Sequence, residues 1–415
     1  MSASDPGLIM LIGAVVVLCA VAASRLTHRV GLPGLLAFLG LGLALGEAGL
    51  GVRFDDPNLA QMLGTGALVL ILAEGGLTTR WDRVRAATPA ALTLATVGVA
   101  VSVLVLGAVV HAVTGFGWRI ALLLSAILAP TDAAAVFSVL RKLPLPDRLS
   151  GVLEAESGFN DPPAVLAVVL LSATGSHGAG LPGPATVAGL VGYELAAGAA
   201  IGVLAGLLGR VALPRLVQPS LYPVAVLALI VASYGAASLA GASGFLAVYL
   251  SALVLGNASL PRQEATRGFA EGVAWLAQIG LFVMLGLLAS PARLPGALLP
   301  ALVIGVALVL LARPAAVAVS ALPWRLPWRW QAFLSWAGLR GAVPIVLATI
   351  PMSARVPGAI RVFDIVFIVV VACTLLQAPT LPWAARRLGL DATTELAPRS
   401  AEPAGAQRGR ARDAG

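Results

Sequence analysis

Between Arg215 and Arg262 the chain runs without a single charged residue. A stretch of that length has nothing to hold it at a water-facing surface. It is also too long for one helix, because a hydrocarbon core of about 30 Å is crossed by about 20 residues. Gly241 to Gly244 provide a turn within it, so the stretch reads as two membrane helices, Leu221–Leu239 and Gly244–Gly256. Apolar runs of about 18 residues or more recur along the rest of the chain. Charged residues make up 11% of the sequence, whereas a soluble domain carries roughly a quarter. A soluble enzyme with one anchor is excluded, and so is a β-barrel, whose strands alternate over about ten residues.

The expected fold class is an all-α polytopic membrane protein. The remaining spans are expected at Gly7–Ala23, Leu35–Gly51, Leu59–Leu77, Ala90–Ala112, Arg119–Val139, Leu149–Ala173, Pro184–Val211, Phe269–Ala289, Gly296–Leu322, Trp330–Pro351 and Val362–Trp383. That makes about thirteen transmembrane helices, or twelve if one short segment is re-entrant. Residues 1–390 form the membrane domain, and 391–415, polar and without periodicity, read as a disordered tail with no soluble regulatory domain. The first span is read as retained, since Met1 to Pro6 carry no basic residue. Cys19 and Cys373 lie inside apolar runs and suggest neither a disulfide nor a metal site.

Loop arginines give the orientation. Arg25, Arg80, Arg83, Arg85, Arg141, Lys142, Arg148, Arg262, Arg325, Arg386 and Arg387 are among those that fall on one side, and Arg53, Arg119, Arg293, Arg355 and Arg361 fall on the other. The richer side is cytoplasmic, which puts the amino terminus outside and the carboxyl terminus inside a bacterial inner membrane. The net charge of +8 is thereby explained by topology. Nucleic-acid binding fits poorly, because these charges alternate with spans instead of forming one stripe.

A few charges remain within or at the ends of apolar spans: Glu74, Asp132, Glu154, Glu156, Asp161, Glu194, Glu271, Arg313 and Arg340. An ionised group at mid-bilayer costs about 2.5–3.5 kcal/mol on insertion scales, so it is expected to face a partner or a water-filled path. The acids outnumber the arginines, and the excess calls for protons or bound cations.

Two segments concentrate the chemistry. In Ala129-Pro-Thr-Asp132, Pro130 removes a backbone donor and opens the helix before Thr131 and Asp132, exposing oxygen ligands suited to a hard cation. The alternative is a kinked helix in which Asp132 caps the next turn. In Glu154-Ala-Glu156-Ser-Gly-Phe-Asn160-Asp161-Pro-Pro163, helical spacing puts Ser157 with Asp161 on one stripe and Glu156 with Asn160 on the next. Either the prolines break a continuous helix, freeing the carbonyls of Gly158 and Phe159, or a new helix starts near Asp161. Arg340, between Gly338 and Gly341 and before Pro344, needs a partner because arginine keeps its proton. Glu156 is the expected one. Arg313 before Pro314 and Glu74 before Gly75 read as further helix-break charges. Glu194 is a candidate partner for either arginine, and Glu271 is expected at the cytoplasmic interface.

Ala129-Pro-Thr-Asp132, Glu156-Ser-Gly-Phe-Asn-Asp161 and Gly338-Leu-Arg-Gly-Ala-Val-Pro344 resemble, in order and spacing, signatures of the monovalent cation/proton antiporters of the NhaP and sodium/proton exchanger type. The likeness extends to Leu246-Ala-Val-Tyr249 with Gly256-Asn257, to Ala274-Trp-Leu-Ala-Gln-Ile279, and to the segment from Leu381 to Gly389. It implies inverted repeats, broken and crossed helices at the centre, and a homodimer in lipid. Carried over by position, it implies a monovalent cation held at Asp161, Asp132, Thr131, Glu156 and Ser157, with Asn160 and Arg340 in support. The pair Asn160-Asp161, where electrogenic relatives have two aspartates, resembles the electroneutral branch. Pro162-Pro163 resembles the potassium/proton subgroup, although members of that subgroup often carry a cytoplasmic regulatory domain.

The expected function is antiport of H+ against K+, or Na+, by competition at Asp161. A channel or uniporter using the same acids is the alternative of another class. An enzyme is poorly supported: the chain has no His-Glu-x-x-His, and His28, His111 and His177 fall at loops or span ends. No cofactor is called for.

Overall fold

Aspartate and proline start the helix Pro57–Thr78. Asp56 accepts the amides of Asn58 and Leu59 at 2.9 and 3.1 Å, and Pro57 takes the first position, where a missing amide hydrogen costs nothing. Similar local rules set the other boundaries: Ser243 caps Gly244–Gly256, and Gly115, at φ 69°, ends Val99–Thr114. The computed structural model describes residues 6–30, 34–47, 49–52, 54–132, 143, 145–173 and 183–390. The tail 391–415, the part of the expected span Arg119–Val139 beyond residue 132, and Arg53, Arg141, Lys142 and His177 lie outside the described residues.

The helices are α1 (Pro6–Val30), α2 (Gly34–Leu45), α3 (Pro57–Thr78), α4 (Trp81–Thr93), α5 (Val99–Thr114), α6 (Trp118–Leu128), α7 (Asp147–Phe159), α8 (Asp161–Ala173), α9 (Pro184–Leu216), α10 (Tyr222–Leu239), α11 (Gly244–Gly256), α12 (Gln263–Leu288), α13 (Leu294–Ala307), α14 (Arg313–Ala321), α15 (Trp328–Trp336), α16 (Ala342–Ser353) and α17 (Ala359–Arg387). Among the described residues, seven continuous helical stretches are long and apolar enough to cross a membrane unaided, and α2, α6, α11 and α16 are shorter apolar helices. The outward faces of α1, α9 and α13 carry exposed Leu, Val and Met, as a lipid-facing surface requires.

Two bundles share the chain. In one, α2 and α3 pack on α12, and α9 and α10 pack on α11, which also meets α3. In the other, α4 packs on α7, α5 on α6, α6 on α8, and α13 and α16 on α17. The bundles meet chiefly where α3 crosses α16.

The second bundle holds the same order of elements twice. α4 and α5 are joined by a π-helical turn, Leu94–Gly98, and α13 and α14 by another, Leu308–Ala312. Each unit then continues into a short helix, α6 or α15, that ends at a break in the chain. The helix break expected at Arg313–Pro314 is therefore corrected to a π-turn followed at once by α14, with Pro314 harmlessly in its first turn. Glu74 needs the same correction. α3 runs unbroken through it, and its glycines serve close packing on α11, with Gly76 against Ala252 and the Tyr249 carbonyl.

Three of the arginines expected on one side of the membrane, Arg293, Arg355 and Arg361, lie close together. Residues Glu47, Asp55, Arg293, Arg355 and Arg361 line a single cleft of about 970 Å³ between the two bundles, and Arg361 also covers the Phe116 ring.

Candidate ion site

The helix breaks bring the chemistry together. α6 stops at Leu128, and Ala129 closes its last turn with a bond to the Ala126 carbonyl at 3.4 Å, leaving Thr131 and Asp132 in non-helical chain. This is the opening that Pro130 dictates. On the other side α7 ends at Phe159 and α8 begins at Asp161, so Pro162 and Pro163 occupy the first turn of a new helix. Of the two readings open for this segment, the structure takes the second. Asp161 thus sits at the amino-terminal end of α8, where the helix dipole favours a negative charge.

Thr131 is the hub of the oxygen cluster. Asn160 donates through Nδ2 to Thr131 Oγ1 at 2.7 Å, and Thr131 Oγ1 and Ser157 Oγ share a hydrogen bond of 3.0 Å. Thr131, Asp132, Ser157, Asn160 and Asp161 are all buried, Asp161 at 5% exposure. Asp132 and Asp161 lie close enough to interact electrostatically. Oδ1 of Asp161 and Oδ1 of Asn160 accept no hydrogen bond among the described residues. A buried acceptor left without a donor is costly, so these oxygens suit a ligand that brings positive charge.

The second break, Ala337 to Gly341, lies against the first. The Asp132 amide donates to the Leu339 carbonyl at 3.0 Å, and Arg340 Nη1 donates to the Ala129 carbonyl at 2.8 Å. Thr374 of α17 donates at 2.8 Å to the Arg340 carbonyl, which lies in the break ahead of α16. The approach is close enough to demand glycine. A Cβ on Gly341 would collide with the Asp132 carboxylate, and one on Gly338 would stand 2.7 Å from Arg313 Nε.

The expected pair of Glu156 with Arg340 is corrected. Glu156 is held by Arg313, with Nη1 to Oε1 at 2.5 Å and Nη2 to Oε2 at 2.9 Å. Arg313 also donates to the Leu334 carbonyl, at 3.2 Å from Nη2. The reason is placement. Arg313, in the first turn of α14, reaches Glu156 on α7 with its long side chain, whereas Arg340 is committed to the facing break. Both oxygens of Glu156 are taken by this bidentate pair, so Glu156 is not a free ligand. Arg340 lies within electrostatic range of Glu156 without bonding to it, and its Nε and Nη2 donate to nothing among the described residues. Glu194, half-buried on α9, meets neither arginine, and Glu271 is exposed on α12.

Arg313 is the central residue that sequence reasoning undervalued. A signal was present: among the membrane charges it was one of only two cations, and buried acids need cations.

The chain matches the family described as "Sodium/hydrogen exchanger, transmembrane" over residues 13–387. It is 39% identical over 399 residues to the K(+)/H(+) antiporter NhaP of Alkalimonas amylolytica, covering 95% of this chain and 69% of that one. With the K(+)/H(+) antiporter NhaP2 of Shewanella oneidensis it shares 40% over 394 residues, 93% of this chain and 68% of the relative. The Na(+)/H(+) antiporter NhaG of Bacillus atrophaeus is 31% identical over 66% of this chain and 54% of its own. In fold it is similar to the sodium proton antiporter MjNhaP1 of Methanocaldococcus jannaschii, with a TM-score of 0.76 at 22% identity over 92% of this chain and 99% of that one. The duplicated, broken-helix bundle and the matched span together establish that the chain belongs to the transmembrane sodium/hydrogen exchanger family.

Proposed function

We propose that this protein exchanges H+ for a monovalent alkali cation, K+ in preference to Na+, with proton and cation competing for the Asp161 carboxylate. The carrying observation is the charge count at the crossed breaks. Among the described residues of the site, three buried carboxylates, Asp132, Glu156 and Asp161, accompany two buried guanidiniums, Arg313 and Arg340. When all are ionised, one negative charge is left. One proton or one alkali cation cancels it, and a neutral cluster moves through a low-dielectric barrier far more readily than a charged one. That balance supports one-for-one, electroneutral exchange. Arg313 cancels Glu156, so the competition falls to Asp161 with Asp132 beside it.

The cation is a substrate and would be held by carboxylate and hydroxyl oxygens from Asp161, Asp132, Thr131 and Ser157. Such hard oxygen donors suit an alkali ion. The preference for K+ rests on the relatives of about 40% identity, which are K(+)/H(+) antiporters, over the more distant Na(+)/H(+) antiporter. The bias of the basic residues supports an inner-membrane protein with its amino terminus outside and carboxyl terminus cytoplasmic. A homodimer follows from the family resemblance.

The test is dequenching of a pH-sensitive dye in vesicles containing the purified protein, titrated separately with K+, Na+ and Li+. Responses to K+ at lower concentration than to Na+ support the reading, and a response to Na+ alone overturns the ion preference. Large passive currents with no proton coupling would mark a channel instead.

A further inference from the structure

The two helices that deliver the acidic residues are joined at both ends. At the site, Thr131 beyond the end of α6 is bonded to Ser157 and Asn160 ahead of α8. At the opposite end, Arg119 in the first turn of α6 donates from Nε to the Leu171 carbonyl at 2.8 Å and from Nη2 to the Ser172 carbonyl at 3.1 Å. Leu171 and Ser172 belong to the last turn of α8, where carbonyls have no helical partner and the dipole is negative. One planar guanidinium therefore closes the far end of an antiparallel helix pair whose near end holds Asp132 and Asp161. Between the clamps α6 and α8 pack directly on each other, and Leu123, Leu124, Ala164 and Val168 on them are buried in one hydrophobic core. Apolar packing of this kind resists separation but resists sliding along the helix axis only weakly.

We propose that Arg119 is a positioning residue for the cation site, fixing the axial register of α8 against α6 and so the separation of Asp161 from Asp132 and Thr131. Alkali ions differ by fractions of an ångström, so a site built from two helices discriminates between them only if those helices are held in register. Arg119 stands about 15 Å from Asp161 along α8 and touches no part of the site. Its effect travels through a rigid helix. This inference rests on the exchange reading above, in which Asp161 takes the cation.

The experiment measures apparent affinity for K+ and for Na+ in two ways: by exchange in vesicles, and by cation-dependent thermal stabilisation of purified protein. The variants are Arg119→Ala, Arg119→Gln and Arg119→Lys. Arg119→Ala is expected to raise the half-saturating K+ concentration about threefold or more and to change the K+/Na+ ratio, with maximal rate per folded protein altered less. Arg119→Gln and Arg119→Lys, which can still donate to a carbonyl, should fall between the wild type and Arg119→Ala. If Arg119→Ala does not fold, the graded pair against wild type carries the same comparison.

Wild-type affinity and ratio in a folded Arg119→Ala protein overturn the proposal. So does a pattern in which the lysine variant is normal and the glutamine variant as impaired as alanine, which would mark a charge effect instead of register. Absence of cation-dependent stabilisation and exchange in the wild type itself would instead remove the exchange reading on which the inference stands.

Discussion

Arg313 grips Glu156 with both terminal nitrogens, joining the start of α14 to α7 across the bundle interior. Arg313 is 4% exposed and Glu156 1%, so neither charge is relieved by water. Removing one partner of such a pair costs about 3–5 kcal/mol, because the other is left buried and uncompensated. Arg313→Met should therefore lower the unfolding temperature of detergent-purified protein sharply. Combining it with Glu156→Met should recover most of the loss, since no charge is then stranded. Thermal unfolding of the two single variants and the double variant checks this.

Arg340 should behave differently. Among the described residues its guanidinium makes one hydrogen bond, to the Ala129 carbonyl, and no described carboxylate is bonded to it. Arg340→Ala is expected to abolish cation-dependent proton flux, because the cluster loses a positive charge and the two breaks lose a tie. Its stability loss should be smaller than that of Arg313→Met. Parallel transport and unfolding measurements separate the two arginines.

Gly341 tests the closeness of the crossing. An alanine there drives its methyl into the Asp132 carboxylate. The carboxylate must shift from its position at the site, so Gly341→Ala should lose most exchange activity. Gly338→Ala should act through Arg313 instead, and show first as lowered stability. Both variants are scored by flux per folded protein and by unfolding temperature.

Thr131→Val keeps the shape of the side chain and removes the hydroxyl that joins Asn160 to Ser157. Each lost hydrogen bond is worth about 0.5–1.5 kcal/mol. Half-saturating K+ should rise about tenfold, with a smaller effect on maximal rate. Initial rates across a K+ series decide it.

Much of this architecture was legible because membrane helices obey local rules. Apolar length located the spans, and Gly244–Gly256 matched to the residue. Pro130 announced the break that frees Thr131 and Asp132. What was not legible were the contacts set by packing. Nothing near Arg313 or Arg340 says which one reaches Glu156, since that depends on where the tertiary fold sets each arginine relative to α7. The glycines after Glu74 looked like a break and proved to be a packing surface, because absence of a side chain permits either. The π-turns at Leu94–Gly98 and Leu308–Ala312 have no signature in a run of apolar residues.

The most direct test of the central claim is the pH dependence of K+ affinity in wild-type and Asp161→Asn protein, measured as K+-evoked dye dequenching in vesicles. If proton and cation compete for Asp161, the half-saturating K+ concentration of the wild type rises as pH falls, with maximal rate preserved at saturating K+. Asp161→Asn protein should be folded and silent at every pH. Normal K+-dependent proton flux in Asp161→Asn, or a wild-type K+ affinity that does not change with pH, would contradict the account.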